Sequence, residues 1–162
     1  MKLTIYLSLL FLALYLVGLL ARWFFFRRDR TRMEKRGQLF GRVIATEKEV
    51  APGAVKQFWL ICEKYRIDCF LLNDGGSYHA FINRCRHMAT PLDFVRNEFV
   101  MDPQHRLVCM MHGAIYEPRS GLCVDGPCKG LSLFRLPVLV DGGEIMVGCP
   151  QGDLSFLIDW AD

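Results

Sequence analysis

The sequence predicts an all-β domain, an antiparallel sandwich or barrel, preceded by one membrane-spanning helix. Three observations carry this. Leu3 to Ala21 is a run of nineteen residues without a charge. After Gly37 the chain breaks into short stretches rich in β-branched and aromatic residues, separated by glycine turns. No amphipathic helical period of convincing length interrupts those stretches.

The apolar run comes first. As a helix it is about 28 Å long, close to the hydrocarbon thickness of a bilayer. A cleaved leader is the rival, but the basic residues follow the run, as "RWFFFRRDRTRMEKR", and no A-x-A-like site is present. An uncleaved anchor over residues 1–26 is the expectation, with a basic linker over 27–40. Arg22 to Arg36 carries seven basic and two acidic residues, a net of +5, against Lys2 on the other side. Positive flanks stay inside, so the remainder of the chain is expected on the cytoplasmic face, with Trp23 and Phe24 to Phe26 at the headgroup level.

The strands follow. "GRVIATEKEV" and "AVKQFWLICE" are divided by the turn "APG"; "YRIDCFLLND", "GG" and "SYHAFINRC" read as a hairpin; so do "LFRLPVLV", "DGG" and "EIMVGC". A short helical turn is expected around Asp93–Asn97 and a chain reversal at Asp102–Arg106. The tail 151–162 gives no clear signal beyond Phe156, Leu157 and Trp160 packing back on the domain.

Charge excludes one class of partner. From Gly37 to Asp162 there are twelve basic and fifteen acidic residues, so the overall +3 belongs to the juxtamembrane cluster, which suits anionic lipid. No nucleic-acid patch is left. The seven cysteines form no regular framework, which predicts a reducing compartment. Cys62, Cys69 and Cys149 read as small buried apolar residues.

Two short pairs carry the chemistry: Cys85-x-His87 and Cys109-x-x-His112. Two thiolates and two imidazoles hold either zinc or a 2Fe–2S cluster with both histidines on one iron. Zinc fingers usually pair like with like, Cys with Cys and His with His. Here each pair mixes the types, as suits a cluster held between two loops.

In these pairs and their flanks the chain resembles the Rieske 2Fe–2S proteins from roughly Gly41 to Gly148. "AFINRC" resembles the strand entering the first cluster loop and Thr90-Pro91-Leu92 its exit. "HGAIYEPRSGLCVDGPC" resembles the second loop and the turn after it, with Gly126-Pro127 as the segment covering the cluster. The resemblance implies a Rieske-type antiparallel β-sandwich over residues 41–150 with an inserted cluster-binding subdomain. It implies one 2Fe–2S cluster, with Cys85 and Cys109 on the inner iron and His87 and His112 on the outer. The exposed imidazoles can also lose protons, which would couple electron uptake to pH.

The departures matter too. Rieske subunits of quinol–cytochrome c reductases tie their loops with a disulfide; the corresponding positions here are Thr90 and Met111. Those subunits place a cluster-bonding Ser where this chain has Ala114. Tyr116 stands where they often have Tyr, able to supply one bond. These differences predict a low to intermediate potential. The interval 88–108 is longer than in many Rieske-type ferredoxins, and either shapes a partner surface or is loop elaboration. His79, His105, Arg86 and Arg96 read as surface residues, with Arg86 within reach of a partner. Cys123 and Cys128 flank the cluster-side turn, as separate thiols in preference to a regulatory disulfide.

The functional expectation is a membrane-anchored one-electron carrier working between protein redox partners, an oxidoreductase component at most and not a stand-alone enzyme. No dinucleotide or flavin fingerprint is present. A Rieske oxygenase would need a further iron site of two His and a carboxylate, and no such His pair follows Gly148. The alternative is the Rieske subunit of a quinol-oxidising complex, opposed by the missing loop disulfide, the missing Ser and the inferred orientation. A structural zinc module is the remaining reading.

Overall fold

The computed structural model describes residues 42–63 and 65–150, together with Val17, Gly18 and Leu20, which are helical. The chain divides into two units, Met1–Leu39 and Phe40–Asp162. Apart from those three residues, the expected span at 3–21 lies outside the described residues, as do the basic linker at 27–40 and the tail at 151–162. Among the described residues no helix is long and apolar enough to cross a membrane.

In chain order the strands are β1 (Arg42–Thr46), β2 (Val55–Cys62), β3 (Tyr65–Asp74), β4 (Ser77–Ile82), β5 (Val100–Met101), β6 (Leu107–Val108), β7 (Ile115–Tyr116), β8 (Cys123–Asp125), β9 (Arg135–Leu136), β10 (Val138–Asp141) and β11 (Glu144–Val147). They form three antiparallel sheets, ordered β1-β11-β10, β2-β3-β4-β9 and β5-β6-β7-β8. The fold is thus all-β, with the expected hairpins β3–β4 and β10–β11 in place. The first closes on Gly75-Gly76, both at positive φ (58° and 93°), the conformation a two-residue turn demands and glycine adopts without a Cβ clash.

β3 explains the layering. Its run "YRIDCFLLND" alternates at first, with Arg66 exposed, and then is apolar on the consecutive positions Cys69 to Leu72, where both faces are covered. Side chains one apart point to opposite faces. Ile67, Cys69 and Leu71 enter a core shared with Ala45, Phe58, Leu60, Ala80, Ile82, Leu136, Ile145 and Val147 from the first two sheets. Phe70 and Leu72 enter a second core with Phe81, Leu107, Ala114, Tyr116, Cys123 and Leu133, which joins the third sheet to the domain. Each of these large side chains stabilises the fold by about 1.5–3 kcal/mol on burial.

The cysteines depart from expectation. Cys62, at the end of β2, is disulfide-bonded to Cys149, just past β11, with Cα atoms 5.7 Å apart. Neither is the plain apolar residue the composition predicts. The pairing is 87 residues apart in sequence and arises because β2 and β11 end side by side across the first core. Cys69 is a free, fully buried thiol, as expected. Around Asp93–Asn97 the chain makes a turn and not a helix: the Asp93 carboxylate accepts from the Asn97 amide at 2.8 Å, and the local hydrogen bond closes on Val95 O. The reversal at Asp102–Arg106 is present, linking β5 to β6.

Candidate metal centre

The third sheet and the end of β4 present two loops, and the loops share one hydrogen-bond frame. In the first, the Cys85 amide donates to Thr90 O at 2.7 Å and the Ala89 amide donates back to Cys85 O at 2.9 Å. In the second, the Cys109 amide donates to Ala114 O at 2.8 Å and the Gly113 amide to Cys109 O at 3.0 Å. The residue four after each cysteine has positive φ, Ala89 at 58° and Gly113 at 71°. Each frame buries its cysteine and turns the following histidine outward: Cys85 and Cys109 are 3% and 1% exposed, whereas His87 and His112 lie at the surface. The imidazole rings meet edge to face, with centroids 4.9 Å apart.

The loops are joined without a disulfide. The Met110 amide of the second loop donates to Leu92 O of the first at 3.2 Å. The Tyr116 hydroxyl, from β7, lies 3.2 Å from Cys85 Sγ and accepts from the Arg86 amide at 3.0 Å. Beneath the first loop, the Asn83 side-chain amide donates to Asp68 at 3.0 Å and to Asp93 at 2.6 Å, while its carbonyl accepts from the Leu92 amide at 2.9 Å. Gln57 donates to the same Asp68 carboxylate at 2.8 Å. Burial raises the Asp68 carboxyl above its ordinary range, opposed by the bonds from Asn83 and Gln57. The Gly126-Pro127 turn closes over the second loop: a Cβ on Gly126 would stand 2.8 Å from Ala114 Cα and 3.1 Å from Gly113 O.

The electrostatics favour a thiolate here. The Cys109 thiol donates to Cys85, which pulls Cys85 down to about 5, and the Tyr116 hydroxyl and His87 amide add to this against the cost of burial. Cys109 is raised for the same reason, because it holds the shared proton, and burial raises it further. Burial above all raises the Tyr116 hydroxyl, so it stays protonated.

The residues present fit a dinuclear cluster. Among the described residues no three His, Cys, Asp or Glu side chains group closely enough to hold a single metal ion. Two buried thiols and two surface imidazoles stand as separate pairs, which is what two irons bridged by inorganic sulfide ask of a protein. Thr90 Oγ1 and Arg86 Nε, both in the first loop, are buried with no hydrogen-bond partner among the described residues.

The other candidates fall outside this centre. His79 is half-buried against the Arg135 guanidinium at 3.0 Å, and His105 lies exposed in the β5–β6 turn. Arg96 is exposed, with its guanidinium 5.1 Å from the Trp59 ring centroid. Arg86 is not the solvated charge expected: its guanidinium lies half-buried 4.2 Å over the Phe134 ring, because the first loop folds its stem inward. Cys123 and Cys128 are separate thiols with sulfurs 3.3 Å apart. Sequence reasoning missed Asn83, Asp68 and Ala89. An alanine in the left-handed region leaves no mark in a sequence, although the "HG" of the second loop does.

The family model described as "Rieske [2Fe-2S] domain" matches residues 42–137, more than half of the chain. No curated protein matches it. Among solved structures, the ferredoxin of carbazole 1,9a-dioxygenase from Nocardioides aromaticivorans IC177 is similar at 27% identity and a TM-score of 0.53, over 66% of this chain and 95% of that one. The terminal oxygenase of carbazole 1,9a-dioxygenase from Novosphingobium sp. KA1 shares the fold at 20% identity and a TM-score of 0.58, over 72% of this chain but 34% of that one. A complex of reduced oxygenase and oxidized ferredoxin in carbazole 1,9a-dioxygenase contains a chain similar at 19% identity and a TM-score of 0.56, matched over 95% of its length.

Proposed function

Because this chain belongs to the Rieske [2Fe-2S] domain family, we propose that it is a membrane-anchored one-electron carrier whose cluster is held by Cys85, His87, Cys109 and His112. The observation that carries the reading is the pair of equivalent loop frames, which bury two thiols and expose two imidazoles in edge contact. A cluster of this kind takes up and releases single electrons, at a potential set by the groups around it. The chain's own residues do the rest. Tyr116 and the backbone frame hold the thiolates. His87 and His112 stand at the surface, where a partner approaches, and the methionines next to them in sequence, Met88, Met110 and Met111, are exposed too.

The ferredoxin-like character is supported by a likeness that extends over nearly the whole of a dioxygenase ferredoxin and only a third of an oxygenase. The acceptor class that fits is an oxygenase component on a separate polypeptide, as in the oxygenase–ferredoxin complex. The apolar run at 3–21 serves as the anchor, and its basic flank favours a cytoplasmic domain. One observation favours a second reading. A Cys62–Cys149 disulfide belongs in an oxidising compartment, where the Rieske subunit of a quinol-oxidising complex would work.

The test is an EPR spectrum of the dithionite-reduced chain purified in detergent, with iron and acid-labile sulfide assayed on the same sample. A rhombic signal of low average g at two irons per chain is expected. A silent sample holding zinc and no sulfide overturns the carrier reading. Reporter fusions at the carboxy terminus then separate the two orientations.

A further inference from the structure

The hydrogen bonds behind Cys85 include one further buried group, a second thiol. Cys128 follows the Gly126-Pro127 turn, is 4% exposed, and places its sulfur 2.9 Å from the Tyr116 hydroxyl oxygen. A phenol has one proton to give and two lone pairs with which to accept. Three groups surround it: Cys85 Sγ, the Arg86 amide and Cys128 Sγ. The amide can only donate. A ligating Cys85 is a thiolate and can only accept. The phenol proton therefore goes to Cys85, and both lone pairs are taken when the Cys128 thiol donates its hydrogen to Tyr116.

We propose that Cys128 is a positioning residue for electron transfer: its S–H holds the Tyr116 hydroxyl with the phenol proton aimed at the Cys85 sulfur. The opposite arrangement, with Cys128 accepting from Tyr116, would take the donor away from Cys85. Two features hold the productive direction. Cys128 Sγ is also placed to donate to Cys123 Sγ at 3.3 Å, but the phenolic oxygen is nearer, at 2.9 Å, and a better acceptor. Cys123 has its own acceptor in Asp125 O at 3.1 Å, and burial, followed by the contact with Cys128, pushes its thiol up to about 11, so it adds no competing charge. The turn carrying Cys128 is itself fixed in height by Gly126 against Ala114. A donor to the phenol oxygen polarises the O–H bond and strengthens what it gives to sulfur. That bond is worth more when the cluster holds the extra electron, so Cys128 raises the potential.

The proposal rests on Cys85 being a ligand, and the experiment keeps the two apart. Potentiometric titrations followed by EPR are run on full-length wild type, Cys128→Ala, Cys128→Ser, Cys123→Ala, Tyr116→Phe and the Tyr116→Phe/Cys128→Ala double variant. At a fixed potential, Cys128→Ala is expected to lower the reduced-to-oxidised ratio roughly three- to tenfold. Cys128→Ser, which keeps a donor, restores the ratio, and Cys123→Ala leaves it unchanged. In the Tyr116→Phe background the Cys128→Ala effect vanishes. An equal effect in that background, or an unchanged ratio in Cys128→Ala with the signal intact, overturns the proposal. Should Cys128→Ala not fold, a Cys128→Ser chain whose ratio falls as far as that of Tyr116→Phe overturns it too. Failure of the ligand assignment looks different: Cys85→Ala would then keep the rhombic signal.

Discussion

Among the described residues, the Tyr116 hydroxyl is the one side-chain O–H seen within hydrogen-bonding distance of a candidate ligand sulfur, and the position after the His-Gly pair is Ala114. Tyr116→Phe should therefore lower the reduction potential, on the order of 60 mV, the one-electron equivalent of roughly 1.4 kcal/mol, as read by potentiometric titration. At this scale the four ligand candidates were legible, since mixed Cys/His pairs at short spacing are a chemical pattern in themselves. Their support was not. Asn83 is one polar residue among several in a strand exit, and nothing local says that it bridges Asp68 and Asp93. Cys128 read as a bystander because its partner is a tyrosine twelve residues away.

At the scale of elements, two features hold the loops. The Gly126 turn must approach the second loop closely. Gly126→Ala adds a Cβ at 2.8 Å from backbone and an alanine at φ +96°, and should cost about 2–4 kcal/mol. Urea unfolding would read that loss, accompanied by poorer cluster retention. The Asp68–Asn83–Asp93 bridge makes the first loop sensitive to pH. A carboxyl raised by burial stabilises the fold below its unfolded value, near 3.8, and that contribution is lost as pH climbs through the higher folded value. The stability difference between wild type and Asp68→Asn should accordingly shift against wild type as pH rises through that window. A difference constant with pH would show that Asp68 titrates alike in both states. Hairpins β3–β4 and β10–β11 were plain from glycine pairs, whereas the third sheet was not: β5, β6 and β7 are two residues each and β8 three, too short for any alternation to register.

For the whole domain, the Cys62–Cys149 bond closes a loop of 87 residues across the first core. Replacing both cysteines with alanine should destabilise the domain by roughly 4–5 kcal/mol if chain entropy dominates, measured by denaturant midpoint under non-reducing conditions. Dithiothreitol should bring wild type to the same midpoint. Seven cysteines without spacing suggested no bridge, and the reason is topological. The partners are set by where two strands end in different sheets, which local sequence does not encode.

From Cys69 to Asn73, β3 has no outer face. Its backbone is paired to β2 on one edge and β4 on the other, and its side chains fill one core above and the other below. Water reaches its amides only when both layers part together, so the slowest hydrogen exchange in the domain should fall at Phe70 and Leu71, and at one common free energy. Strain applied at the cluster loops and strain applied at the disulfide then draw on the same reserve of cooperativity. Variants at either end, though remote from one another, should speed exchange of the same few protons.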